Sequence, residues 1–500
     1  MYILILLLGH FLNLLVLKWN NYMSKLNELD YKTIIEIRKL LDSKSISSYE
    51  LCEHFLKRTE DLDKYGIFIT PPSESILKEA TTADEIIKSG KEIHLLTGIP
   101  VPIKDMDPVK GLPFTHGSLP YKNNIANDDS LVVKRIKNFG GIIAGKTNTP
   151  ENGYAGTTEN RLSKPSLNPW DYNCTSGGSS GGSAVAVAAG LIPFATGGDG
   201  GGSIRIPAGF TGIYGLKPSQ GRVPKYQSGR KSYNISNIST SGALTRSVLD
   251  TAKIMSILSG GDPNSEYGAI SQKVSDFSKN LTKDIKEIKI GWSQTIGGNP
   301  VDSEVIEVIK PALNKFEELG AKVEEIKFIP DDFIDVFSTW FDYFCMKGLN
   351  GYKEDYLDNR NSLSNYFLEY LDHASSLPGE RLWDIHNNIG WYRNYTNEYF
   401  DNFDLLITPS LAVPAFEVNN PPDYINSEKV AHRLWGFTPY TYLFNLTGNP
   451  AASIPVGFSS KGLPIGIQIV GEMFSEEFLL NVSSKFEEAK PWSQFKPINY

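Results

Sequence analysis

Cysteine is scarce in this 500-residue chain: Cys52, Cys174 and Cys345 are the only three, widely spaced and odd in number. They exclude a disulfide framework and a cysteine-built metal site, and they suit a reducing compartment, which gives a cytoplasmic placement. Histidine is also sparse, seven in all, with none inside the glycine clusters described below. A histidine base for a catalytic serine therefore has no obvious place there. Excess positive charge is missing too: 49 basic residues stand against 57 acidic ones, a net charge of −8. Broad electrostatic attraction to nucleic acid or to an anionic membrane is thereby excluded. Charged residues make up only 21% and apolar ones 40%, enough apolar material for a large core. No internal repeat or low-complexity linker divides the chain.

What the chain does have is concentrated between Thr175 and Ala208, in TSGGSSGGSAVAVAAGLIPFATGGDGGGSIRIPA. Two serine-bearing glycine clusters bracket an apolar segment. Glycine loses more conformational freedom on folding than any other residue, so such clusters mark backbone that approaches something closely or adopts positive φ. Gly200, Gly201 and Gly202 lead directly into Ser203, an arrangement that lets several backbone N–H groups converge beside a hydroxyl, as an oxyanion hole requires. A Gly/Ser run alone reads more often as a flexible linker. Here it opens SAVAVAAGL, which reads as a buried, closely packed helix, so a linker does not fit.

These two clusters resemble the signature of the amidase signature family of serine hydrolases. That resemblance implies a triad of a lysine, a serine in a cis peptide and a nucleophilic serine, carried here by Lys104, Ser179 and Ser203. Ser179 and Ser203 stand 24 residues apart and Lys104 lies 75 before Ser179, in GIPVPIKDMD, both at the family's spacing. Further similar segments are GKTNTPENGYAGTTEN at 145–160, LNPWDYN at 167–173, GLKPSQGRVP at 215–224, NLTGNPAASIPVGF and GLPIGIQIVGE, so the resemblance runs from about Asp30 to about Glu472. It implies a cis bond between Gly178 and Ser179, backbone donors from Gly200 to Ser203, and bracing roles for Ser180, Asp199 and Arg205. It also implies a small-molecule amide as substrate and no metal or organic cofactor, and leaves a homodimer open. The chain departs from the pattern at Cys174, where relatives carry arginine, and at Gly198, where threonine or serine is more usual.

The residue chemistry points the same way. A serine hydroxyl is a weak nucleophile until a base removes its proton. Lysine can be that base if burial and nearby positive potential depress its pKa. Lys104 taken alone is more often a solvated surface charge, but the IPVPI run before it reads as a strand leading inward. Cys174 reads as a small, half-buried hydrophobe. His116, just after the lysine strand, is an ordinary loop histidine or a residue at the site's mouth. Gly140–Thr147, GGIIAGKT, satisfies the phosphate-loop pattern GxxxxGK[ST]. Its variable positions form an apolar, β-favouring run, and Pro150 and Gly153 follow, so it reads as a strand and not as a nucleotide site.

Element patterns alternate. Ser47 with Glu50 makes a capping box, followed by Leu51, Phe55 and Leu62 at helical spacing. Helices are expected around 74–89, 129–139, 245–258 and 302–319, and strands at 99–103, 141–144, 287–292 and 464–470. That order predicts an α/β fold, a large mixed twisted sheet covered by helices on both faces. Residues 23–500 are expected to form one domain, with aromatic-rich 328–440 as a helical cap over the substrate pocket.

At the N-terminus, Tyr2–Leu17 is an apolar run interrupted by His10 and Asn13, short of the roughly 20 residues a spanning helix needs. It lacks the basic start and small-residue cleavage site of a signal peptide. Residues 1–22 are expected to be an apolar leader absent from the mature protein or a misassigned start, with Met23 as the true one; a membrane anchor through 2–17 and export are the alternatives. On sequence alone the chain reads as an amidase; the alternatives are the glutamine-hydrolysing subunit of an amidotransferase and an inactive binding protein on the same scaffold.

Overall fold

The computed structural model describes residues 29–225, 238–262, 276–329 and 335–497; the apolar N-terminal run lies outside them. An eight-stranded sheet forms the centre, in the spatial order Lys322–Glu325, Lys289–Trp292, Leu405–Pro409, Pro464–Val470, Ala451–Phe458, Tyr214–Lys217, Thr240–Thr245, Phe194–Asp199. The first three strands pair in parallel and every later pair is antiparallel, so the sheet is mixed as expected. Its edge strand Lys322–Glu325 is charged and largely exposed, whereas the interior strands are buried on both faces. Pro464–Val470, for instance, is buried at every position.

A smaller sheet of three strands places Ile142–Thr147 between Phe68–Thr70 and Pro100–Lys104. It abuts the edge of the large sheet, where the Lys104 amide donates to Thr196 Oγ1 at 3.0 Å. Strand Pro100–Lys104 is buried throughout, and this carries the lysine at its end into the interior. The alanine-rich segment forms helix Gly181–Ala188, also buried at every position. Small side chains let this helix pack between the two sheets: a Cβ on Gly182 would lie 2.4 Å from the Ile67 carbonyl oxygen.

The expected helices appear as Ser75–Ser89, Leu131–Asn138, Val248–Leu258 and Ser303–Glu318. The capping box is present, with Ser47 accepting from the Glu50 amide and Glu50 accepting from the Ser47 amide. Helix Ser48–Asp61 ends before Leu62, which is its C-cap. The expected cap over 328–440 needs correcting. Helices Val336–Gly351, Lys353–Asp358, Asn365–Ser376 and Arg381–Phe400 do form an aromatic layer, but Leu405–Pro409 is an interior strand of the large sheet. The run LLITP is short, apolar and without alternation, so periodicity alone does not separate a buried strand from a buried helical turn.

Candidate active site

Lys104 is 1% exposed, and its ammonium nitrogen has three neighbours: Ser179 Oγ at 2.7 Å, Ser180 Oγ at 2.9 Å and the Gly198 carbonyl at 3.4 Å. A neutral amine has two hydrogens and one lone pair. The Gly198 carbonyl can only accept, so a neutral Lys104 donates to it and to one hydroxyl while receiving the other hydroxyl's proton. Burial, then the nearby Lys225 ammonium, depresses the Lys104 pKa to about 7, with Asp107 and Asp199 opposing. Near neutral pH a large share of Lys104 is therefore an unprotonated amine beside two serine hydroxyls.

Ser179 follows a cis peptide bond from Gly178. No side chain fits at Gly178, because a Cβ there would lie 2.1 Å from the Thr157 carbonyl oxygen. On the other side of Ser179, a Cβ on Gly153 would be 3.3 Å from its hydroxyl oxygen, so Gly153 leaves the hydroxyl uncovered. The Ser180 amide donates to the Ser203 carbonyl at 3.2 Å, which ties the first serine cluster to the second. Ser203 itself is 4% exposed, at the mouth of helix Arg205–Thr211.

The loop between Asp199 and Arg205 is fixed from beneath. Asp199 accepts from the amides of Gly202 (2.8 Å), Ile204 (3.1 Å) and Arg205 (3.4 Å), and from the Arg205 guanidinium at 2.8 and 3.0 Å. Desolvation works against ionisation here, but the Arg205 charge and these donors outweigh it, holding the Asp199 carboxyl far below the usual carboxylate range. Arg205 also donates to the Thr441 carbonyl, Gln468 Oε1 and Asn445 Oδ1. Asn445 in turn donates to the Asp199 carboxylate and carbonyl.

One of the expected oxyanion donors is corrected by this network. The Gly202 N–H is committed to Asp199, which leaves Gly200, Gly201 and Ser203 as loop amides with no acceptor among the described residues. The reason is the turn itself, since Gly202 has φ +124° and its amide faces the carboxylate.

Of the remaining singled-out residues only Gly198 touches the cluster, through its backbone. At Gly198 an added Cβ would stand 3.7 Å from the Lys225 ammonium, an ordinary contact distance, so space does not explain the departure from threonine or serine. His116 packs against Phe114, Tyr121 and Tyr352 with its Nδ1 3.3 Å from the Tyr352 hydroxyl, and burial lowers its pKa to about 4. It is an aromatic-cluster histidine. Cys174 is buried, its thiol 3.6 Å from Asp171 Oδ2 and its pKa pushed up to about 12 by burial and that carboxylate. All but the first two residues of the phosphate-loop match form strand Ile142–Thr147, where Lys146 is fully buried in an ion pair with Asp105 at 2.6 Å. No group of histidine, cysteine or carboxylate residues with metal-ligand geometry occurs among the described residues.

Sequence reasoning did not single out Lys225, Trp340, Thr441, Asn445 or Gln468 as residues of this site. Trp340 and Thr441 reach it from distant segments without any local pattern, whereas Asn445 opens the NLTGNPAASIPVGF segment and Lys225 follows directly on GRVP, both already noted.

With this geometry established, comparison with known proteins is direct. The Amidase family profile matches residues 50–480. This chain belongs to the amidase signature family. It is 32% identical to an acylamidase of Rhodococcus erythropolis over 94% of this chain and 98% of that protein. It is 33% identical to a glutamyl-tRNA(Gln) amidotransferase subunit of Persephonella marina over 94% and 99%. Among solved structures, a bacterial aryl acylamidase of the amidase signature family superposes with a TM-score of 0.87 at 30% identity, covering 93% of this chain and 98% of that one. The amidase fold and an amide-hydrolysing activity, on carbon–nitrogen bonds, follow for this chain. No helix among the described residues is long and apolar enough to cross a membrane.

Proposed function

We propose that this amidase cleaves a linear or cyclic carboxamide through an acyl-enzyme on Ser203, with Ser179 and Lys104 as the proton relay. The observation that carries the reading is the buried Lys104 amine 2.7 Å from Ser179, whose segment is bonded to that of Ser203. The Ser203 hydroxyl attacks the carbonyl carbon; its proton passes to Ser179, and the Ser179 proton to the Lys104 lone pair. The amides of Gly200, Gly201 and Ser203 receive the negative charge that develops on the carbonyl oxygen. Collapse breaks the carbon–nitrogen bond, and the proton stored on Lys104 returns through Ser179 to the leaving nitrogen. Water then repeats the sequence and releases the acid.

N-acyl amines, including acyl anilides, are the substrates favoured here, since the acylamidase and aryl acylamidase are similar over nearly the whole chain. A glutamine-hydrolysing role in an amidotransferase is the second reading, supported by the likeness to the Persephonella marina protein over a similar span. Hydrolysis measured across acyl anilides, aliphatic, fatty-acyl and cyclic amides, and glutamine separates them. The first reading predicts the highest kcat/KM on an N-acyl amine. Ammonia release from glutamine exceeding all others would establish the second, and absence of any hydrolysis or fluorophosphonate labelling would indicate an inactive binding protein.

A further inference from the structure

Peptide planes in the glycine loop are held at their carbonyl ends by two side chains that no signature segment contains. Trp340, from helix Val336–Gly351, donates its indole N–H to the Gly200 carbonyl at 3.1 Å. Thr441 Oγ1 lies 2.6 Å from the Gly201 carbonyl and 3.1 Å from the Thr438 carbonyl; its single proton belongs to the shorter contact. In a trans peptide the C=O of one residue and the N–H of the next point in opposite directions. Fixing the Gly200 carbonyl on Trp340 therefore turns the Gly201 N–H to the opposite face, where it meets no acceptor among the described residues. Fixing the Gly201 carbonyl on Thr441 turns the Gly202 N–H away in the same manner, and that N–H is found on Asp199.

Both braces are rigid. Trp340 is fully buried, stacked between Phe344 at 4.8 Å and Tyr442 at 5.1 Å, with the Trp435 ring edge-on at 4.8 Å. Glycine is required beneath it, because a Cβ on Gly201 would sit 2.3 Å from Trp340 Cζ2. A Cβ on Gly202 would lie 2.5 Å from Thr441 Oγ1. Loop, tryptophan and threonine are thus fitted to each other at contact distance.

We infer that Trp340 and Thr441 are positioning residues for the oxyanion hole, aiming the Gly201 amide at the carbonyl oxygen of the amide under attack. The inference rests on the proposed acyl-enzyme reading and adds to it a link from the aromatic helical layer to the catalytic loop. Its signature is a defect in kcat without one in substrate binding, because the developing oxyanion exists only in the transition state.

The test uses Trp340→Phe, which stays aromatic but removes the donor, with Thr441→Val, isosteric but without the hydroxyl, and Thr441→Ser, which keeps the hydroxyl. Steady-state kinetics on an acyl anilide accompany thermal unfolding of each variant. Removing an oxyanion donor outright lowers kcat about 10²–10³-fold, and a loosened donor costs a part of that, so Trp340→Phe and Thr441→Val should each lose on the order of tenfold or more in kcat. KM should stay within about twofold, and the midpoint of the pH–rate profile should not move, since no group facing Lys104 changes charge. Thr441→Ser should recover most of the lost rate. Folded Trp340→Phe and Thr441→Val proteins with native kcat would overturn the inference, as would a loss confined to KM or a Thr441→Ser no better than Thr441→Val. If Trp340→Phe fails to fold, the threonine pair decides alone. The acyl-enzyme reading fails separately, through an active Ser203→Ala.

Discussion

Lys104 illustrates how burial converts an ordinary side chain into a base. Its pKa is lowered to about 7 first by desolvation and then by Lys225, and the neutral form dominates above that value. The rate, kcat/KM, should therefore rise with pH through about 7 and level off above it. Lys104→Arg should be nearly inactive at every pH, because guanidinium stays protonated. Replacing Lys225 by methionine removes one of the two causes and should move the midpoint upward, whereas Lys225→Arg should leave it in place. Desolvation remains in both variants, with Asp107 and Asp199 still opposing it. A midpoint unchanged in Lys225→Met would assign the depression to burial alone, and an active Lys104→Arg would make the lysine a fixed positive charge.

At the scale of elements, strand Ile142–Thr147 carries the clearest stability prediction. Lys146 and Asp105 are both fully buried, and Asp105 also accepts from the Thr115 amide and hydroxyl. Removing one partner of a buried pair strands the other charge, so Lys146→Met should cost about 3–5 kcal/mol in a denaturant titration. Addition of ATP should leave the unfolding midpoint unchanged, since the lysine has no free donor face towards solvent. The apolar residues GGIIA preceding that lysine made the strand legible in the sequence. Legibility was high wherever chemistry is written locally: the glycine clusters, the inward IPVPI strand, the Ser47 capping box. It failed at Leu405–Pro409, whose five buried residues carry no period. Trp340 and Thr441 were illegible as site residues for a different reason, lying 140 and 240 positions from the carbonyls they bind. An aromatic-rich stretch announces packing, and only the fold shows which of its rings reaches the loop.

Across the whole molecule, two sheets and a helical layer meet at one glycine loop. The small sheet delivers Lys104, the buried helix Gly181–Ala188 follows directly on Ser179 and Ser180, and the edge of the large sheet ends at Asp199. The second half of the chain contributes Asn445 and Gln468 to Arg205, which closes the arrangement over nearly its full length. Truncation after residue 400 should thus abolish activity together with folding, as circular dichroism and hydrolysis of an acyl anilide would register. The central claim is a covalent acyl group on Ser203. Mass spectrometry of the protein quenched during turnover of a slowly deacylating amide tests it most directly. No lysine or arginine lies between Lys164 and Arg205, so both serines fall in one tryptic peptide and fragmentation must locate the adduct. An acyl mass on Ser203, absent from Ser203→Ala, is the predicted result; an acyl mass on Ser179, or hydrolysis that proceeds with no adduct at all, would contradict it.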